Sequence, residues 1–228
     1  MENNTEWLNN LVDEKFLSDN LTFISLFIAV YENFADYVVS NIKSFLCEES
    51  IENGEYVIKK TQIYRDEIKN RPVDDKNNRD ITKASFLWLK DNGAISADDY
   101  ESFLKIKSIR NKYAHELTSI LLSGVDGKVE IKAFFDMVSL YKKITKWWFI
   151  NVEAPIWGYE INEDAEIYNS ANGAFDLIID VLYNGKSEEY KSMLKDFEKT
   201  ESNMKDFSQQ KTVNPSLCTN MLIAKIAY

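Results

Sequence analysis

Apolar residues recur along this chain at helical intervals, in blocks separated by polar breaks. From Leu21 to Leu46 they fall at Ile24, Phe27, Ile28, Tyr31, Phe34, Val38, Ile42 and Phe45. That spacing traces one stripe on a helix, and Asn20 just before it predicts the N-cap. Residues 1–19 predict a short leading helix around Trp7, Leu8 and Leu11. Tyr56 to Lys69 predicts another, with Tyr56, Lys60, Ile63 and Glu67 on successive turns and a weak apolar face. The stretch from Asn70 to Arg79 has no periodicity and reads as an exposed loop. A short helix capped by Asp80 and closed by Gly93 then carries Ile81, Ala84, Phe86, Leu87 and Leu89.

Ser96 and Asp99 form a capping box and open a helix expected to run to about Leu122, with Gly124 and Gly127 flanking the following turn. Phe103, Ile106, Ile109, Tyr113, Leu117 and Ile120 make its buried stripe. Ile131 to Trp148 is a fourth strong helix, with Phe134, Met137, Val138, Tyr141, Ile144 and Trp148 inward. Pro155 and the acidic segment Glu160 to Glu166 mark a boundary. A helical core over residues 1–160 and a C-terminal helical extension over 161–228, packed on that core, are expected. The extension holds predicted helices Ala174 to Leu182 and Glu188 to Phe197. Its apolar tail, Met221 to Tyr228, is expected to pack within the chain.

Composition narrows the fold. Gly (7) and Pro (3) are scarce, whereas sheet-rich folds need turn residues every eight to twelve positions. Apolar residues at 45% and charged residues at 28% are those of an ordinary globular protein. An all-α fold, an antiparallel helical bundle with extra C-terminal helices, is the expectation. The 27 Lys and Arg against 37 Asp and Glu leave a net charge of −10, which repels phosphate backbones except at a local basic cleft. Cys47 and Cys218 are too few and too distant for a disulfide framework or zinc site. No basic segment followed by an apolar one stands at residues 1–19, so no signal peptide is expected. The apolar run Leu21 to Val30 is too short to span a bilayer. A cytoplasmic protein without membrane partners is expected.

The candidate chemistry lies in Ser108-Ile109-Arg110-Asn111-Lys112-Tyr113-Ala114-His115-Glu116-Leu117, which holds the chain's one histidine. At about 100° per residue, Asn111, His115 and Thr118 fall opposite the buried stripe, with Ser108 and Ser119 close by. Asn111 and His115 sit one turn apart, and Arg110 on the flank is long enough to swing its guanidinium toward them. From outward geometry alone, a solvated surface histidine is the plainer reading.

The string Ile109 to His115 resembles the signature of the HEPN superfamily, an Arg followed by a polar residue and, a few positions on, a His. The lead-in from Gly93 through Ala94-Ile95-Ser96-Ala97-Asp98-Asp99-Tyr100 is similar too, and the likeness covers about residues 20 to 150. The resemblance implies a metal-independent endoribonuclease, a toxin or antiphage-defence effector, with Arg110 and His115 catalytic and Asn111 in support. It implies no cofactor and no metal. Its partners would be single-stranded RNA, a second copy of the chain and a neutralising antitoxin or regulatory partner. In this chemistry the 2′-OH is the internal nucleophile and the product a cyclic phosphate. Imidazoles titrate near pH 6.5 and serve as base or acid, while a guanidinium offers paired donors to phosphate oxygens. One histidine per chain requires a symmetric dimer to complete the site.

Several members that pair with nucleotidyltransferase antitoxins carry a modified Tyr two places after the His. Leu117 stands there in this chain, and Tyr113, the nearest substitute, belongs to the buried stripe. Other relatives keep the Arg-Asn…His string as non-catalytic interaction or regulatory modules, the mannitol-operon-repressor-like proteins among them. In such a module the same residues would lock a dimer interface. Trp147, Trp148 and Trp157 offer a base-stacking platform, and Lys142, Lys143 and Lys146 a backbone patch. Core packing and a solvated face are the plainer readings of each.

Overall fold

The computed structural model describes residues 6–125, 128–158 and 170–183, with Lys186, Glu188, Lys191 and Ser192. The chain divides into two compact units, Met1–Glu163 and Asp164–Tyr228. The described part is an all-α bundle with one small hairpin. In the first unit α1 (Glu6–Val12) precedes the long α2 (Glu14–Leu46), and β1 (Cys47–Glu52) and β2 (Glu55–Lys60) form the hairpin. Then come α3 (Gln62–Tyr64), which runs on as a π-turn over Arg65–Lys69, α4 (Ile81–Asp91), α5 (Ala97–His115) and α6 (Leu117–Ser123). Next is α7 (Glu130–Trp148), which passes through a π-turn (Phe149–Glu153) into α8 (Ala154–Trp157). The second unit contains α9 (Ser170–Tyr183), over the stretch predicted as Ala174 to Leu182. Most of Glu188 to Phe197, all of Met221 to Tyr228, Gly127 and Cys218 lie outside the described residues.

The core is an aromatic spine carried by α2. Phe34 meets Phe86 of α4 edge-on at 5.2 Å and Tyr141 of α7 at 4.9 Å. Phe86 stacks on Phe103 of α5 at 3.6 Å. Two turns toward the N-terminus, Phe27 meets Tyr113 of α5 edge-on at 5.2 Å and Phe134 of α7 at 6.1 Å. Phe27, Phe34, Phe86 and Phe103 are fully buried; each stabilises the fold by about 2–3 kcal/mol relative to exposure. The helix is also long and apolar enough to cross a membrane, well beyond the ten residues that the sequence marks as its apolar run. Here Phe23, Ile24, Phe27, Val30, Tyr31, Phe34, Val38 and Ile42 form the centre of the described core instead.

Three local expectations are corrected. Tyr56 to Lys69 is not one helix: its first part is β2, and only Gln62–Lys69 winds helically. The cause is Asn53-Gly54, whose φ angles of 53° and 84° close a two-residue hairpin turn. Asn20 does not begin α2. Asp13 does, its carboxylate accepting the Phe16 N–H at 2.9 Å. Asn20 is an interior residue whose amide donates to the Phe16 carbonyl at 2.7 Å and accepts the Val125 N–H at 2.8 Å, fastening the end of α6. The motif helix does not reach Leu122. It stops at His115 and restarts as α6 after Glu116, whose φ of −123° and ψ of 23° leave the helical region. The break slips the stripe, so Tyr113 and Ile120 are buried while Leu117 is 39% exposed.

Asp80 joins α4 to α5. It caps α4 through the Lys83 N–H at 3.0 Å and accepts from Lys107 of α5 at 2.6 Å. Burial opposes its ionisation, but Lys107, the Lys83 N–H and their charges outweigh that and hold the carboxyl below its ordinary value. A depressed folded pKa stabilises the fold above the unfolded value near 4 and is lost as pH falls through the folded value. Asp80→Asn is therefore expected to destabilise at pH 7. The gap from wild type should narrow as urea unfolding is repeated from pH 5 toward pH 2.

Candidate functional site

The C-terminal end of α5 is fastened to α7 by a buried acid. Glu130, 3% exposed, stands in phase with Phe134, Met137 and Tyr141 on the inward face of α7. Its carboxylate accepts the Tyr113 hydroxyl at 2.8 Å and the Lys112 ammonium at 3.0 Å. A buried carboxylate is tolerated when its charge and lone pairs are met. These contacts fix the rotation of the last turns of α5. Tyr113 and Lys112 reach toward α7, so Asn111, Ala114 and His115 on either side of them are left outward.

Asn111 and His115 are both exposed, as their spacing predicts. His115 is the last residue of α5, and among the described residues its side chain has no hydrogen-bond or ion-pair partner. Arg110 is 31% exposed and differs from expectation in its direction. Its Nη1 donates to the Asn111 side-chain oxygen at 3.2 Å, but its Nε donates to Glu32 of α2 at 2.6 Å, and its Nη2 pairs with the same carboxylate. No hydrogen bond joins Arg110 or Asn111 to His115. The guanidinium carbon lies over the Tyr31 ring, 5.7 Å from its centroid. Burial pushes the Tyr31 phenol up, against the smaller pull of Arg110, so the ring beneath the cation stays neutral. Three of the five guanidinium N–H groups are thus engaged, and one on each Nη remains for an incoming oxyanion.

The exposed surface at this corner continues through Glu116, Leu117, Thr118 and Ser119, and Ser108 is exposed on the preceding turn. The sequence did not single out Glu32, Tyr31 or Glu130. Glu130 carried a signal, a charged residue at a stripe position of a strong amphipathic helix. Glu32 carried none, because its partner is 78 residues away.

Of the secondary candidates only Trp148 is buried in the core. Trp148 is buried against Trp88 and Phe45, with Trp147 half-buried beside it, while Trp157 is 71% exposed. Lys143 pairs with Asp99 at 2.5 Å, and Lys142 and Lys146 are half-buried. Among the described residues no group of three or more His, Cys, Asp or Glu is placed to hold a metal ion. Comparison of the chain with protein-family models, with curated proteins and with solved structures finds no match.

If Tyr113 serves chiefly to satisfy Glu130, Tyr113→Phe should destabilise the fold by about 1–3 kcal/mol, the consequence of removing one partner of a buried acid. Denaturant titration measures this. The double variant Tyr113→Phe, Glu130→Gln should lose less than the sum of the two single variants.

Proposed function

We propose that the chain is a metal-independent endoribonuclease of HEPN type, a toxin or defence effector whose site is completed by a second copy. The observation that carries this reading is an unpartnered, solvent-facing imidazole at the end of α5, on the surface that also presents Asn111 and the Arg110 guanidinium. His115 takes the proton of the 2′-OH or delivers one to the leaving 5′-oxygen. Arg110, oriented by Glu32 and Tyr31, turns its remaining N–H groups to the phosphorane oxygens. Asn111 braces the guanidinium on its other side. Base and acid are both needed in one turnover, so two His115 rings from two copies face one scissile phosphate. The pairing also gathers positive charge locally on a chain of net charge −10.

A second reading, a non-catalytic interaction or regulatory module resembling mannitol-operon-repressor-like proteins, draws on the ion pair itself. Glu32 neutralises Arg110, and Leu117 lies exposed beside His115, a composition that also suits a packed interface.

The two separate in one experiment. A ribonuclease cuts single-stranded RNA in the presence of chelator, and Arg110→Ala and His115→Ala each lower the rate by about 10²-fold or more. A substrate with a 2′-deoxy group at the scissile position stays intact. If both variants match wild type toward RNA while sedimentation shows altered dimerisation, the module reading replaces this one.

A further inference from the structure

The hairpin is a feature that the ribonuclease reading leaves unused. It rises directly from the end of α2, with Glu52 paired to Glu55 across Asn53-Gly54 and Cys47 to Lys60 at its base. In a hairpin closed by a two-residue turn the flanking pair exchanges both hydrogen bonds and the pattern then alternates. Glu55, Val57 and Lys59 therefore direct their amides and carbonyls to β1. Tyr56, Ile58 and Lys60 direct theirs away from it. Among the described residues no third strand takes up that outer edge. Ile51, 77% exposed, and Tyr56, 62% exposed, form a cross-strand apolar pair on one face.

Unpaired edges are normally guarded by charge or bulges. Here Lys59 already pairs across the hairpin with Glu52, and one register of pairing with a second copy offers it Glu55 as a further acid. In an antiparallel pairing of β2 with a second β2, outward-directed residues must face one another. Centring the two-fold on Val57 achieves this, with Tyr56 opposite the second copy's Ile58 and the reverse. The intervening positions then place Glu55 opposite Lys59 twice, with Val57 meeting Val57 on the axis. Every one of these cross-strand pairs is complementary: two ion pairs, two aromatic–aliphatic pairs and one aliphatic pair. Shifting the second strand by one residue in either direction sets outward groups against inward ones, and the ladder fails. The favoured register also extends the exposed row of Ile51 and Tyr56 by the partner's Ile58.

We propose that the outer edge of β2 pairs with the same edge of a second copy, giving a four-stranded antiparallel sheet between two chains. Its register is set by Glu55 opposite Lys59 and by Val57 on the two-fold. The contact is distinct from the one at His115 and does not depend on the ribonuclease reading. Its recognition element is the segment Glu55-Tyr56-Val57-Ile58-Lys59, which is complementary to itself when paired antiparallel about Val57.

Cross-linking of the full chain reads the register directly. In a Cys47→Ser, Cys218→Ser background, Val57→Cys places two thiols at a non-hydrogen-bonded pair. The Cα atoms there are about 4.5 Å apart, inside the range that a disulfide spans. Ile58→Cys faces Tyr56, and its two copies lie about 8 Å apart, beyond that range. Mild oxidation with oxidised glutathione should link the Val57→Cys protein into covalent dimers and leave the Ile58→Cys protein monomeric on non-reducing gels. Added to the Val57→Cys protein, Glu55→Lys or Lys59→Glu alone should slow linking on the order of tenfold. Mixing the two charge variants should restore it, because each lysine then meets a glutamate, and an unfolded variant could not show that rescue. Equal linking at positions 57 and 58, or charge variants that link as fast alone as when mixed, would overturn the proposal.

Discussion

The arrangement at the end of α5 depends on one buried charge. Glu130 occupies a place on α7 where an apolar side chain would pack without penalty, so its carboxylate must be met from within the bundle. Tyr113 and Lys112 meet it. Two consecutive residues turned toward one acid leave little freedom in the helix that carries them. The aromatic spine reinforces this, since the Tyr113 ring that donates to Glu130 also packs edge-on against Phe27. Core packing and polar satisfaction thus fix the same rotation, and that rotation presents Asn111 and His115 to solvent.

A second constraint acts on Arg110. A partly exposed pair with Glu32 contributes little to stability, but it removes most of the rotational freedom of a long side chain. The Tyr31 ring beneath it limits the guanidinium from another side. The cation is therefore aimed rather than merely present, and the Glu32 carboxylate already offsets its charge. A phosphate arriving at this corner meets two remaining N–H groups and an acid, which is weak attraction from one chain alone. Under the proposed reading, the second copy supplies the missing charge as well as the second imidazole.

Much of the bundle was legible in the sequence because its helices carry long, regular apolar stripes. Most of the stripe positions read for α2, α4, α5 and α7 are turned inward and the caps at Asp80 and Ser96 stand where expected, but Phe45, Ile81 and Leu117, read on the same stripes, are exposed. The hairpin was not read as one, although Asn53-Gly54 is a strong turn signal. Its strands, Cys47–Glu52 and Glu55–Lys60, are half Glu and Lys and show little of the alternation that marks a half-buried strand. The start of α2 was misplaced because Asn20 and Asp13 are both good caps, and only the Asn20 contact with Val125 shows which is interior. The break at Glu116 had no Gly or Pro to announce it. At the site, outward placement of Asn111 and His115 followed from helical spacing. The direction of Arg110 did not, since it is set by Glu32, a residue remote in sequence.

The central claim is that Arg110 and His115 cut RNA through its own 2′-OH, and the ends of the products test it most directly. Mass spectrometry of an RNA oligonucleotide incubated with the purified protein in chelator should show fragments ending in a 2′,3′-cyclic phosphate beside fragments beginning with a 5′-hydroxyl, with neither produced by the His115→Ala protein. Fragments bearing 5′-phosphate and 3′-hydroxyl ends, or an RNA left whole by the wild-type protein, would contradict the account.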